Sequence, residues 1–473
     1  MVKDNQGLSD FYQNDEFIPQ KVQQTFFSIG NKLSQVIKIK ESYYQLNSFL
    51  EYTRTPEQLS FTGGPLAKLQ AEYERVVQNT LQQQLKGYIG TSIIKKWHAY
   101  TLDTKFSFNY QYKTLFSYPQ DNIENNQEEA SNDLSYTHWI PKISPNFRYE
   151  KNGLSFYFTP HISFQSRTLN DLVLKSTDQV NQFVFEPSTH IRYKYRNFTL
   201  DNSYTFQNNF SELPQMYSGI IIKDFRTAHQ LPLSILSTQS YAFSSTLAYD
   251  NPSSALSAKA QYRFNSNSKD WINQYDINED GVALIKTSNF NNNKGTSHLV
   301  SGNFHWFILD LVTNVRSKVT MNTSNENVIV NETTNQNTTT SLAWEGMIDF
   351  PIVKELIFTT YYNSNYTKNS LEELEPADWN QKIWGVDIEF NKKKHQFKWH
   401  NKWIEHTFIE DEFLYLDFSY QYKFNQKTFV RFTAQNLLNN RNYTQANFDP
   451  YFSQQTYYLL RPRQLMVTVR FKL

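Results

Sequence analysis

The chain has 473 residues, 39% of them apolar and 16% aromatic, with 46 basic against 45 acidic side chains. A net charge of +1 gives no electrostatic reason to expect a nucleic-acid partner, and the absence of cysteine excludes disulfides, thiol catalysis and cysteine-ligated metals. No stretch approaches the roughly 18 apolar residues of a transmembrane helix, and the start, "MVKDNQGLSD", lacks the apolar segment of a signal peptide.

Mean hydropathy is −0.64, yet the chain carries 31 Tyr, 37 Phe and 9 Trp. A membrane barrel reconciles the two, because only alternate residues face lipid and aromatic girdles mark both interfaces. In chain order, residues 1–20 are expected to be loop and the first strand to lie over 21–29. "GNKL" (30–33) reads as a turn and 35–49 as the next strand. Residues 66–85 read either as a helix (Leu69, Tyr73, Val76, Leu81) or as a strand with Leu69, Tyr73, Val77, Leu81 and Leu85 on one face. A descending strand is needed before Phe106–Tyr112, which favours the strand. Period-two alternation then recurs at Phe106–Tyr112, Leu154–Gln165, Ile191–Tyr195, Tyr241–Tyr249, Leu256–Phe264, Leu342–Phe350, Trp384–Phe390, Phe397–Trp403 and Leu414–Tyr422. The chain ends on Leu465, Val467, Val469, Phe471 and Leu473, alternating with Gln464, Met466, Thr468, Arg470 and Lys472. Short turns ("EKNG", "DNPSS", "NKKK", "NQK") alternate with long polar stretches at 114–136, 168–181, 209–237, 267–296, 322–336, 367–379 and 437–463. Sorting of loops by length is what a transmembrane barrel does. The expected fold is therefore an all-β, up-and-down antiparallel transmembrane barrel over 21–473, of about 19 strands. An odd count would put the N-terminus outside and leave a seam without a full antiparallel ladder.

"SYQYKFNQKTFVRFTAQNLLNNRNYTQ", with Asn436-Leu437-Leu438-Asn439, and "LLRPRQLMVTVRFKL", with Arg461-Pro462-Arg463, resemble the last strands of TonB-dependent outer-membrane receptors. "FRTAHQLPLSILSTQSYAFSSTLAYDNPSSALSAKAQYRF" and "SHLVSGNFHWF" are similar to the Bacteroidota branch of that family. The resemblance implies the barrel part of a 22-stranded receptor in the bacterial outer membrane, importing an iron chelate, oligosaccharide or peptide. It implies as partners a plug domain, absent from this sequence, the TonB complex, and barrel-assembly machinery that reads Val467, Val469, Phe471 and Leu473.

Other candidate sites are few. Asp276, Asn278, Asp280 and Gly281 match half of a calcium loop, but its twelfth position is Thr287. His400 and His406 fall opposite Trp399 and Trp403, toward the lumen. Tyr443, Phe448, Tyr451, Phe452, Tyr457 and Tyr458 form an aromatic loop suited to clasping a ligand. No catalytic constellation and no cofactor motif appears, so no enzyme is expected. The alternatives are a plugless pore for diffusion or secretion and a soluble secreted glycan-binding β-protein.

Overall fold

A strand that shows one face to lipid must still pair both of its edges, because hydrocarbon offers the backbone no partner. The computed structural model describes residues 2–13, 16–39, 42–63, 75–120, 131–277, 283–372, 377–407, 409–425, 427–449 and 452–471. The wall begins with β1 (Val2–Gln13), β2 (Glu16–Ile39), β3 (Ser42–Thr62), β4 (Arg75–Trp97), β5 (Tyr100–Gln120), β6 (Asn132–Lys151), β7 (Leu154–Asp171), β8 (Ser176–Tyr195) and β9 (Phe198–Phe210). The connection 211–236, hereafter the strap, holds a 3-10 turn at Leu213–Gln215 and two short strands, β10 (Ile221–Ile222) and β11 (Thr227–Gln230). The wall resumes with β12 (Ser237–Asn251), β13 (Leu256–Ile277), β14 (Ala283–Ile308), β15 (Thr313–Val330), β16 (Thr333–Val353) and β17 (Leu356–Leu371). It continues through β18 (Ala377–Lys392), β19 (His395–His406), β20 (Ile409–Lys423) and β21 (Thr428–Gln435). A separate hairpin, β22 (Asn442–Asp449) with β23 (Phe452–Leu459), precedes the final strand, β24 (Gln464–Phe471).

Leaving aside β10, β11, β22 and β23, the other 20 strands run up and down in one antiparallel ladder among the described residues. β9 pairs with β12 across the strap, and β21 with β24 across the hairpin. The outward face is apolar: Ile29 is 62% exposed, Val300 53% and Trp384 50%. In water each such side chain would forgo about 1.5–3 kcal/mol of burial, so this belt is the surface of a membrane-spanning barrel. The inward face carries ion pairs between neighbouring strands, such as Arg192–Asp201 and Arg316–Asp349 (both 2.7 Å) and Lys398–Glu389 (3.1 Å). His400 and His406 also point inward, bonded to Asp387 and Gln381.

Several expectations are corrected. The described part of 1–20 is strand, not loop: Val2–Gln13 pairs along its whole length with β2, held by ladder bonds that need no side-chain pattern. "GNKL" is not a turn; Gly30 and Asn31 lie opposite Glu51 and Leu50, and Ile29 and Leu33 continue the outward face past a single polar Asn31. The β2–β3 ladder instead runs on until Ile39 stands opposite Ser42. The descending strand is Arg75–Trp97 rather than 66–85, of which 66–74 lie outside the described residues. The ladder count is 20 rather than 19, so it is even, and both ends of the ladder fall on the short-turn side instead of opposite sides. Among the described residues no pairing joins β1 to β24. Much of the long polar stretches is strand, and β14 runs 26 residues, because beyond the bilayer no lipid-facing side demands apolar residues, so alternation fades while the ladder goes on.

Prolines mark the wall's weak point. Pro160 stands opposite Pro187, and the β6–β7 ladder skips 140–141 and 144–146, around Pro141 and Pro145. A proline has no N–H to give; His161 Nδ1 and Ser144 Oγ, 2.7 Å apart, bridge the second gap instead. At the other end of the chain, Asn436 and Asn439 take positive φ (51° and 58°). The buried Asn436 side chain donates to the Asn440 and Arg461 carbonyls (2.8 and 2.9 Å), and Asn439 Oδ1 accepts from Arg463 N–H (3.0 Å). Asn436–Asn439 and Arg461–Arg463 thus pin the base of the hairpin and aim β24 at β21. Val467, Val469 and Phe471 all lie exposed on the outer face, and Leu473 is outside the described residues. Spin labels on single cysteines at these three positions should report lipid contact in reconstituted bilayers; water-like accessibility would refute the belt.

Candidate functional site

The strap does not lie in solvent. Its apolar residues turn inward and build two hydrophobic clusters with the lumen face of the wall. One joins Ile222, Phe225 and Ala228 to Ile18, Leu59, Phe61 and Val76. The other joins Leu213, Met216, Tyr217, Ile221 and Ile235 to Leu115, Leu134, Tyr136 and Leu169. A buried connection must still satisfy its backbone, and wall side chains supply the partners. Gln78, 2% exposed, accepts from Ile222 N–H (2.6 Å) and donates to the Ile220 carbonyl (3.2 Å). Asn132 accepts from Gly219 N–H (2.9 Å), and Asp178 from Ile235 N–H (2.7 Å). Gly219 is required there, since a Cβ would sit 2.5 Å from the Ser131 carbonyl.

The upper end of the β13–β14 hairpin completes a bridge. Below residue 269, β13 lies between β12 and β14. Above a bulge at Lys269/Trp271 the hairpin is turned over: Gln274 and Tyr275 pair with Ile329 and Val330 of β15. Its other strand, β14, pairs in parallel with β11 through Ala283–Lys286. β11 pairs with β10, and Gln78 of β4 takes the outer edge of β10. One row therefore runs Val330, Tyr275, Ile285, His229, Ile221 and on to Gln78. β4 and β15 are fourth and thirteenth of the 20 wall strands, close to opposite each other. At about 4.8 Å per strand, the four steps from β15 to β10 cover about 19 Å. The long-loop mouth of the barrel is spanned by a strand bridge, packed on one side against β2–β8.

Two histidines lie within this assembly, His138 on β6 facing the strap and His229 on β11. Burial, with Arg167 adding, lowers His138 to about 4; burial, with Lys223 adding, lowers His229 to about 4. Both are neutral imidazoles in the closed arrangement.

Among the residues singled out by sequence, Asp276 lies on the bridge. Its carboxylate already holds Lys286 (2.8 Å) and accepts from Gln274 (2.8 Å), so calcium would have to displace a lysine there. Asn278 and Asp280 lie outside the described residues. The backbone places Tyr443 opposite Tyr458 and Phe452 opposite Asp449 in the separate hairpin; Phe448 and Tyr457 lie on the same two strands, and Tyr451 is outside the described residues. In the sequence the bridge shows only as parts of two long polar stretches, 209–237 and 267–296. Its signal was Leu213, Met216, Tyr217, Ile220, Ile221, Ile222, Ile235 and Leu236 inside it, apolar residues that a solvated loop does not need.

No protein-family model matches this chain, and no curated protein sequence does. Solved structures similar to it include "Copper transporter OprC", at 7% identity over 99% of this chain and 82% of that one, TM-score 0.43. The ferric-catecholate import receptor Fiu of E. coli K12 matches at 8% identity over 97% and 65%, TM-score 0.46. The siderophore receptor PirA of Pseudomonas aeruginosa matches at 11% identity over 89% and 73%, TM-score 0.38. What those proteins carry is a property of their own residues.

Two outcomes are expected. Gln78→Ala leaves a buried N–H and a buried carbonyl without partners, at a cost of about 1–3 kcal/mol each; amide exchange at Ile220–Ile222 should accelerate while the wall stays protected. Acidification should loosen the strap. Because the closed state holds His138 and His229 below their ordinary 6.5, its stability is full above pH 6.5 and falls as pH drops toward about 4. Proteolysis within 211–236 between pH 7 and pH 4 measures this, and a flat profile would contradict it.

Proposed function

We propose that this barrel is the membrane part of a TonB-dependent receptor of the Bacteroidota branch, set in a bacterial outer membrane and importing a nutrient ligand through its lumen. The observation that carries the reading is the bridge. A wide barrel with a polar interior has its mouth crossed by a folded strap, so passage requires something to move. The apolar belt supports a lipid surround and disfavours a soluble glycan-binding protein. The resemblance of Asn436–Asn439 and Arg461–Arg463 supports the receptor assignment, with a plug and the TonB complex as energy-coupling partners and barrel-assembly machinery docking on β24. Tyr443, Phe448, Phe452, Tyr457 and Tyr458 of the outer hairpin would meet the ligand first, which belongs to the iron chelates, oligosaccharides or peptides.

Planar-bilayer conductance tests the gating. The intact chain should pass little steady current, and replacing 213–235 by a short Gly/Ser linker should raise the conductance severalfold. A large steady conductance from the intact chain, unchanged by the deletion, would instead make it a pore for passive diffusion.

A further inference from the structure

Two adjacent cross-strand rows run along the wall beneath the strap. The upper is Thr53, Gln84, Lys113, Tyr136 and Leu169; the lower is Glu51, Lys86, Gln111, His138 and Arg167. They gather three cations, Lys86, Lys113 and Arg167, on one patch of the lumen face. Among the described residues no wall carboxylate bonds to any of them. Arg167, only 7% exposed, donates to neutral acceptors, Tyr136 Oη (2.5 Å) and Gln165 Oε1 (2.8 Å), and stacks 4.5 Å over the Phe210 ring. Glu51, at the end of its row, accepts from Ser28 (3.1 Å). A buried guanidinium without a counter-ion is costly unless an anion is brought to it.

The anion now there belongs to the strap. Glu212 pairs with Lys113. Burial alone would raise its carboxyl; Lys113, with Arg167 adding, outweighs burial and holds it below the usual carboxylate range. Directly beneath, the 3-10 turn places Leu213 and Pro214 over a cavity of about 400 Å³ whose wall side carries Lys86, Lys113 and Gln84, with the single carboxylate Glu51 at its edge. We propose that this patch binds an anionic group, carboxylate or phosphate, of the incoming ligand, and that Glu212 is a tethered occupant which the ligand displaces. The inference rests on the reading of the lumen as the ligand's path. An arriving anion that takes Lys113 together with Lys86 replaces one charge-assisted bond by another, so the cations are never left uncompensated. Glu212, released, no longer ties the start of the strap to β5. Binding below the bridge thereby loosens its attachment.

Amide exchange of 213–222 in the full chain, held in lipid nanodiscs, reads this directly, with inorganic pyrophosphate and tricarballylate as probes and sodium chloride at equal ionic strength as control. Either probe should raise exchange by about tenfold or more, equivalent to about 1.4 kcal/mol. A response to pyrophosphate alone assigns a phosphate group, and a response to tricarballylate alone a carboxylate. Glu212→Gln should exchange fast without any probe and gain nothing from one. Lys86→Gln, which leaves the Glu212–Lys113 pair in place, should need about tenfold more probe for the same effect. Heat-modifiable migration on gels checks that each variant is a folded barrel. No response in the unmodified chain, an equal response to chloride, or a Glu212→Gln protein with unaltered exchange would each overturn the proposal. The readout does not depend on transport: a steady pore current would sink the gating reading and leave this binding result standing, and the reverse also holds.

Discussion

Every backbone N–H and C=O in this chain that leaves water has to find a partner within the chain, and the architecture follows from that demand. In lipid the partner is the neighbouring strand, which is why β1 is a strand although its own residues show no strong alternation. Where prolines remove donors from β6, β7 and β8, a histidine–serine contact takes over part of the gap. In the mouth, where β14 serves only the inner edge of the strap, the amides of Gln78 and Asn132 and the carboxylate of Asp178 substitute for a strand on the other side.

The wall and the mouth are held differently. Wall strands share long ladders, reinforced inside by ion pairs between immediate neighbours that add polarity more than strength. The strap has short pairings, two apolar clusters and a handful of side-chain bonds. Regions secured by few contacts open at lower free energy than the ladders around them. A barrel built this way can move its mouth without disturbing its membrane seal.

The wall was legible because its requirement is local. Leu465, Val467 and Val469 alternate with polar residues wherever they are placed in the barrel, and turns such as "EKNG" announce themselves by composition. Alternation failed where the physics that produces it was absent. The upper ends of β13–β16 stand beyond the bilayer, where no lipid selects alternate apolar residues, and β1 is secured by its neighbour's ladder. The bridge was invisible for another reason. It depends on β11 meeting β14 in parallel and on Gln78 meeting residues about 140 positions away, and no local pattern encodes such a meeting. Lys86, Lys113 and Arg167 are likewise ordinary polar residues on three separate strands until the register sets them side by side.

The parallel pairing of β11 with β14 also fixes an order of events. The strap precedes β13 and β14 in the chain, yet its inner edge has nothing to rest on until that hairpin has formed and turned over above Lys269. Contacts between distant segments form only after the intervening chain has been organised. Losing the β13–β14 hairpin alone would therefore take away the strap's inner edge and its link to β15, and leave the mouth covered from the β2–β8 side only.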